Sequence, residues 1–313
     1  MTSLPELKMR NFEWSDIKAL SRLLNDVGTH GHRDWPESVE ALRADLEYPR
    51  VRPEENLVLA EIASENDAEI AGYAIVEPEQ NIGRSVVGIA NIAEKNRADI
   101  TGMLLDWATN RAAEFAPLAH LATRDHETGL SEYVERSGWG RVRKYLKLGS
   151  EPNLVAAPAL IPPGFTVRTM LGLDELPELT DLQNVSFKAH FGFSPNTVDE
   201  IKARLLAPGA RIDDVVLIHD SGERLVAYCW TQTYERAGSK RGRIGMTGVL
   251  PDARGQGLGR AIAESGFNHL LGQGIDAIEL DVDSTNAAAI KIYSSLGFTT
   301  RSEVDWWEKL LQH

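Results

Sequence analysis

The segment PDARGQGLGRA combines spacing and charge in a way that could do chemistry. It carries three glycines at alternate positions, Gly255, Gly257 and Gly259. Two arginines, Arg254 and Arg260, flank them. Glycine lets backbone N–H groups approach a ligand with no side chain in between, and a helix N-terminus adds N–H donors and partial positive charge. The segment therefore predicts a phosphate site if it joins a strand to a helix. The alternative is a tight turn that needs glycine only for its backbone angles.

The elements on either side of this segment place the glycines. RGRIGMTGVL before it is a predicted strand, and apolar residues after it recur at helical spacing over about 257–273. The glycines thus lie at a strand-to-helix turn. Their G-x-G-x-G spacing differs from the Rossmann G-x-G-x-x-G, and no Lys-Ser/Thr pair follows the last glycine, as a P-loop requires. This is neither of the two familiar nucleotide loops.

The rest of the C-terminal half predicts a mixed α/β fold, because strands are followed by a strand–loop–helix unit and then by strand–helix–strand. Strands are predicted at FTVRTM, DDVVLIHD, RLVAYCWTQTYE, RGRIGMTGVL, AIELDVD and SEVDWWEKL, and helices over 174–189, 197–206, 257–273 and NAAAIKIYSSLG. The four prolines of SEPNLVAAPALIPPG predict a linker at 150–164.

Composition limits the class of protein. A length of 313 residues suits about two domains. A hydrophobic content of 42% is enough for each domain to bury a hydrophobic core. The net charge of −13 argues against binding to nucleic acid or to an anionic membrane surface. There is one cysteine, no signal-peptide pattern at the start and no apolar run of roughly 18 residues. We expect a cytoplasmic protein, monomeric or homodimeric.

Two motifs resemble the GNAT superfamily of N-acetyltransferases. VLPDARGQGLGRAI resembles the family's acetyl-CoA loop, R/Q-x-x-G-x-G/A, and NAAAIKIYSSLGF resembles its second motif, Asn-x-x-A…Tyr…GF. The resemblance covers about residues 164–310. It implies an acyltransferase whose fold is a mostly antiparallel sheet with one splayed parallel strand pair and flanking helices. It also implies acetyl-CoA as cosubstrate.

The resemblance assigns roles to residues. Pantetheine would pair with the strand before the loop, and the pyrophosphate would rest on the loop amides. Tyr293 would protonate the leaving CoA thiolate, since a phenol is still protonated at neutral pH; a buried structural aromatic is the alternative. Asn286 is a helix cap by type and a candidate cofactor contact. The implied cofactor-binding residues are Met246, Thr247, Gly248, Val249, Leu250, Arg254, Gly255, Gln256, Gly257, Leu258, Gly259, Arg260, Asn286 and Tyr293.

The predicted reaction is transfer of the acetyl group to the primary amine of a small molecule by direct attack, and the amine must first lose a proton. Glu235 is the candidate base, with Tyr234 beside it at the end of a strand. Tyr234 and His190, the latter in KAHFGFSP where the family binds acceptors, are the candidate acceptor-binding residues, and His190 is also a second candidate base. A solvated glutamate and a loop histidine are the alternatives. Cys229 on a strand is interpreted as a buried inert thiol. No metal is expected, and a non-catalytic acyl-CoA-binding module stays open as a second class of function.

The first half repeats the same pattern. SGWGRVRKY aligns with LGFTTRSEV at an offset of about 159, which predicts two tandem copies of the fold. The predicted domains are 1–149, a degenerate copy, and 165–313, the catalytic copy. In the first copy, residues of other types stand at the tyrosine, asparagine and glycine positions: Val134, Glu127, and roughly Arg97, Asp99 and Thr101.

Tandem chains with the active copy second are similar to the mycothiol synthases, which acetylate a cysteinyl amine. In that family an acidic residue on the strand before the loop is a proposed base. Here the same position, six before Val249, holds Arg243. A guanidinium stays protonated and cannot act as a base. The acceptor therefore stays open between a cysteinyl amine and other small amines.

Overall fold

The computed structural model describes residues 7–28, 38–48, 50–63, 68–92, 97–125, 129–150, 158–236 and 238–311. The chain forms two compact units, Met1–Lys144 with Val304–His313, and Tyr145–Glu303. The predicted domain bounds stay a prediction; part of the proposed linker, 151–157, and Glu127 lie outside the described residues. No helix in the described ranges is long and apolar enough to span a membrane.

The first unit is a mixed sheet with helices. Its elements are β1 (Leu7–Asn11), α1 (Ile17–Gly28), α2 (Val39–Leu46), α3 (Pro53–Asn56), β2 (Leu57–Ala63), β3 (Ala68–Glu79), β4 (Arg84–Asn91), α4 (Arg97–Ala113), β5 (Leu118–Arg124), α5 (Leu130–Arg136) and the start of β6 (Gly140–Ser150). β1 to β4 pair in chain order and antiparallel, whereas β4 and β5 are parallel. The end of the chain, Val304–Leu310, pairs antiparallel with β5.

The second unit repeats this order of elements. They are β7 (Phe165–Thr169), α6 (Leu176–Phe187), α7 (Val198–Leu205), β8 (Val215–Asp220), β9 (Leu225–Arg236), β10 (Ser239–Val249), α8 (Leu258–Gly272), β11 (Ala277–Asp283), α9 (Ala287–Ser295) and the start of β12 (Phe298–Leu310). β7 to β10 pair antiparallel in chain order, and β10 and β11 are parallel. Tyr145–Gly149 of β6 then pairs antiparallel with β11. The predicted fold class is confirmed, although β12 begins at Phe298, earlier than predicted.

A matching arginine contact supports the duplication. Arg10, at the end of β1, bonds Asp16 at 2.6 Å and Glu61 of β2 at 2.8 Å. Arg168, at the corresponding place in β7, forms an ion pair with Glu175. In both units the arginine ties the first strand to the turn that follows it, so the two halves share this detail as well as their order of elements.

Two glycines let helices pack closely on opposite faces of the second unit's sheet. A Cβ on Gly266 of α8 would lie 2.3 Å from the sulfur of Cys229 on β9. A Cβ on Gly248 of β10 would lie 2.5 Å from Ser186 Oγ of α6 and equally close to the Tyr228 ring. A larger residue at either position would force these facing side chains to shift. These contacts fix α8 on one face and α6 on the other, beside the C-terminal end of β10.

Candidate active site

The two parallel strands of the second unit separate partway along their length. Their ladder joins Arg241–Ile244 to Ala277–Leu280, and in the described part of the sheet it has no further rung. β10 nevertheless continues to Val249, and β11 to Asp283. The separation coincides with a bulge at Gly245, where the register between β9 and β10 shifts. Bulges bend a strand. β10 therefore presents a backbone edge toward β11 beyond Gly245.

The glycine segment begins α8 as the sequence predicted. Gly255 and Gly257 have φ of 81° and 84°, a region that L side chains rarely adopt, and Gly257 is the N-cap. The N–H groups of Arg260 and Ala261 donate to the Gly257 carbonyl at 3.2 and 3.1 Å. The amides before them are those that a helix leaves without an intrahelical acceptor. Gly259 differs, because a Cβ there would meet Ile292 at an ordinary 3.7 Å. Its position tolerates alanine, in accord with the family's G/A.

The protein itself holds both flanking arginines. Arg254 donates from Nη2 to the Ser186 carbonyl of α6 at 3.1 Å and from Nε to the Val249 carbonyl at 3.3 Å. Arg260 donates from Nε to Glu264 Oε1 at 2.6 Å. One guanidinium is thereby fixed near the end of β10 and the other along the first turns of α8. Positive charge lies on both sides of the loop.

α9 positions the predicted acid. Asn286 caps this helix, its Oδ1 accepting from the Ala289 N–H at 3.1 Å. Tyr293 lies two turns later, only 7% exposed, with its ring edge-on to Phe298. Its hydroxyl donates to Thr247 Oγ1 at 3.2 Å. The phenol thus reaches the stretch of β10 beyond the bulge. Burial raises the pKa of Tyr293, so the hydroxyl keeps its proton.

Thr247 also contacts Cys229 in the core. The Thr247 hydroxyl donates to its sulfur at 3.7 Å, and the residue is fully buried. Burial raises the pKa of the thiol to about 12. Only a thiolate is a good nucleophile, so this geometry is that of an inert core cysteine.

His190 lies in the turn after α6, exposed, with its ring 4.5 Å from that of Phe187. Desolvation lowers the pKa of His190, while the Asp283 carboxylate raises it and the Arg254 guanidinium lowers it further. The net direction is downward, which leaves a neutral imidazole at pH 7. The hydrogen bond from Arg254 to the Ser186 carbonyl places the glycine loop next to the end of α6, just before this turn.

The predicted base, Glu235, lies elsewhere. It is exposed and opposite Lys240 on the neighbouring strand, with Tyr234 opposite Arg241. Lys240 is seven residues before Thr247 on β10. At about 3.3 Å per residue this separates Glu235 from the tyrosine contact by roughly 23 Å. The structure does not bring Glu235 or Tyr234 together with Tyr293.

Sequence reasoning missed a row of charges on β11. Glu279, Asp281 and Asp283 alternate with residues buried in the core, which places them on one face of the strand. Arg243 donates to Asp281 at 2.7 Å, and Lys147 of β6 lies 3.3 Å from Glu279. The cation at the position of the family's acidic residue is therefore matched by a carboxylate on the adjacent strand. The alternation in AIELDVD was the signal available. Among the described residues no three potential ligands cluster to hold a metal ion.

The corresponding place in the first unit is built differently. Val134 is fully buried where the second unit has its tyrosine. Thr101, in the first turns of α4, accepts from Asn91 Nδ2 at 2.9 Å and donates to the Arg97 carbonyl at 2.8 Å. Side-chain hydrogen bonds thus tie the end of β4 to α4. In place of a glycine, Asp99 is exposed in the same first turn.

Comparison with known proteins agrees with this geometry. The Acetyltransferase (GNAT) family matches residues 176–298. A Mycothiol acetyltransferase of Paenarthrobacter aurescens (strain TC1) is 30% identical over 234 residues, which is 74% of this chain and 71% of that protein. The chain belongs to the GNAT family of acetyltransferases. The resemblance predicted from the two motifs, and the assignment as a transferase, are confirmed.

Solved structures show that this acetyltransferase has a tandem fold. A GCN5-related N-acetyltransferase from Sphaerobacter thermophilus superposes with a TM-score of 0.75 at 21% identity, covering 98% of this chain and 96% of that one. A tandem GNAT protein from the clavulanic acid biosynthesis pathway superposes with a TM-score of 0.74 at 13% identity, covering 97% and 98%. At these identities the likeness concerns the fold alone. It confirms the predicted duplication.

Proposed function

We propose that this acetyltransferase moves the acetyl group of acetyl-CoA to the primary amine of a small molecule, at a site between β10 and β11 of the second unit. One observation carries the proposal: the hydroxyl of Tyr293 bonds Thr247 on the part of β10 that has separated from β11. A buried, protonated donor and a strand edge without a ladder partner among the described residues thus meet at one point. The first unit has valine at the tyrosine position.

The cosubstrate suits the residues present. Gly255 and Gly257 have positive φ, which favours glycine, and without side chains they leave the loop amides open to a ligand. Those amides and the α8 N-terminus would hold the pyrophosphate. The backbone of Met246 to Val249 would pair with the pantetheine arm.

Each step of the proposed reaction is assigned to a different group of the protein. The amine must lose a proton, and a neutral His190 can take it directly or through water. Its nitrogen attacks the thioester carbonyl, and a backbone N–H of β10 stabilises the oxyanion. When the C–S bond breaks, the leaving thiolate takes the Tyr293 proton, and the second proton of the attacking nitrogen, released as the amide forms, restores the phenol through solvent. We propose His190 rather than Glu235 as base, because His190 follows α6, whose Ser186 carbonyl accepts from Arg254 of the glycine loop, whereas Glu235 lies at the far end of β10.

A cysteinyl amine is the second candidate acceptor. The relative at 30% identity is named Mycothiol acetyltransferase, and so is one from Segniliparus rotundus at 28%. In this chain Asp281, 2.7 Å from Arg243, supplies a carboxylate next to the position where that family has its acidic residue. This pairing favours the candidate in spite of the arginine.

The test is release of CoA thiol from acetyl-CoA in the presence of small primary amines, amino sugars and cysteinyl compounds. We expect turnover with at least one class. Once an acceptor is found, His190→Gln should lose the acidic limb of the pH profile of kcat/KM, and its kcat should fall by about 10²-fold. The matched Glu235→Gln should keep the acidic limb and the wild-type kcat. The reverse result would return the role of base to Glu235. Tight acetyl-CoA binding without thiol release from any amine would instead support a non-catalytic binding module.

A further inference from the structure

A carboxylate on α8 has both of its oxygens occupied close to the glycine loop. Glu264 is 9% exposed. Its Oε1 accepts from Arg260 Nε at 2.6 Å, and its Oε2 accepts from the backbone N–H of Leu160 at 3.3 Å. A buried carboxylate needs such partners, because its desolvation is costly. Glu264 therefore connects one arginine of the loop to a segment about a hundred residues earlier in the chain.

That segment, Pro158–Gly164, is here called the proline segment. It lies against the loop, since the Cγ of Pro162 is 3.6 Å from the position that a Cβ on Gly257 would take. Ile161 packs on the core of the second unit, whereas the side chain of Leu160 points outward and the residue is 79% exposed. The contribution of Leu160 to this contact is thus its N–H alone.

We propose that Glu264 and the proline segment form a wall of the cofactor site. This inference rests on the proposed function. Glu264 is a positioning residue: with one oxygen it orients Arg260, and with the other it fastens the proline segment beside Gly257. Arg260 uses only Nε for this bond, and a guanidinium has four further N–H donors. It can therefore hold a phosphate oxygen while it stays bonded to Glu264. The pairing also neutralises a carboxylate that would otherwise repel the diphosphate.

The proposal predicts which ligands depend on the wall. The Arg260 guanidinium and the proline segment both lie by the loop that would bind the diphosphate. A substitution that breaks the contact between Glu264 and the proline segment should therefore weaken the binding of acetyl-CoA. It should leave S-acetyl-pantetheine, which lacks the diphosphate and the nucleotide, unaffected.

A substitution at Leu160 isolates the contact. Leu160→Pro removes the N–H that Glu264 accepts, and Leu160→Ala keeps it while removing the same exposed side chain. By calorimetry on the full chain, we expect Leu160→Pro to raise the Kd of acetyl-CoA about fivefold or more and Leu160→Ala to leave it unchanged. Neither should change the Kd of S-acetyl-pantetheine. Equal effects of the two variants, or no effect of Leu160→Pro, would overturn the proposal.

Glu264→Gln gives a second route if Leu160→Pro does not fold. Its amide keeps an oxygen for the Leu160 N–H but loses the ion pair with Arg260, so we again expect weaker acetyl-CoA and unchanged S-acetyl-pantetheine. Unchanged or tighter binding of acetyl-CoA would contradict the role of Glu264. Failure of the proposed function looks different, because the wild-type chain would then show no saturable binding of acetyl-CoA.

Discussion

Replacing Tyr293 by Phe tests the chemistry most directly, because it removes one atom from a well-defined contact. The ring should keep its place against Phe298, whose centroid is 5.7 Å away. The hydrogen bond to Thr247 is lost. Such a bond contributes about 0.5–1.5 kcal/mol net to the free energy of unfolding. The Thr247 hydroxyl keeps its contact with Cys229, so no buried group is left without a partner. The expected loss of stability is therefore about 1 kcal/mol.

The loss of activity should be larger than this structural effect. Without a proton donor for the leaving thiolate, we expect kcat to fall by about 10²-fold or more, which corresponds to about 2.7 kcal/mol of transition-state stabilisation. The assay is thiol release at saturating substrates, with acetyl-CoA affinity followed by calorimetry and stability by urea unfolding. The Kd of acetyl-CoA should stay nearly constant.

Thr247→Val is the matched control. It loses the same hydrogen bond and keeps the phenol. We expect a fall in stability at least as large, because the buried Tyr293 hydroxyl is left without its acceptor, and a much smaller fall in kcat. A Tyr293→Phe enzyme with wild-type kcat, or equal losses of kcat in both variants, would refute the role of acid. The pH profile adds a check of sign. Because burial raises the pKa of Tyr293, activity that needs its proton should persist above pH 10 as far as this group is concerned.

Three further outcomes are expected. Gly257→Glu places a strained side chain and a negative charge at the loop, so the Kd of acetyl-CoA, measured by calorimetry, should rise at least tenfold, about 1.4 kcal/mol. Gly259→Ala should bind acetyl-CoA normally, and equal affinity of the two variants for acetyl-CoA would show that the loop is not part of the site. The first unit has a different structure at the corresponding place, so titration should saturate at one acetyl-CoA per chain, and two equivalents would contradict this. His120 accepts from Arg84 on Nδ1 and donates from Nε2 to Glu308, an arrangement that requires the neutral ring, and burial lowers its pKa. As pH drops below about 6.5, the unfolded chain therefore takes up the proton first, and the free energy of unfolding should fall. Measured by urea unfolding at several pH values, the free energy of unfolding of His120→Gln should depend less steeply on pH than that of the wild type. An unchanged pH dependence would contradict the neutral assignment.

Local sequence signals predicted the strand-to-helix glycine turn and the cap of α9. The alternating glycines need positive φ at two of three positions, and a strand-to-helix turn supplies it. Asn286 caps its helix because its short side chain reaches an N–H three residues on. Both effects act within a few residues, so spacing along the chain was enough to predict them. The same holds for the duplication, which preserves Arg10 and Arg168 at the ends of matching strands.

The proposed acceptor half of the site depends on distances across the sheet, which spacing along one strand does not encode. Glu235 ends the strand next to β10, but the antiparallel pairing places it opposite Lys240, at the end away from the separated strands. Arg243 stands at an expected acidic position, and its charge is matched by Asp281 two strand positions further along the parallel neighbour. His190 comes near the glycine loop only because Arg254 bonds both the end of α6, at Ser186, and the end of β10, at Val249. A substitution at Asp281 tests this reasoning: if cross-strand pairing holds the arginine, Asp281→Asn should change the KM for the amine more than that for acetyl-CoA, since Arg243 lies before the bulge and the cofactor stretch of β10 lies after it.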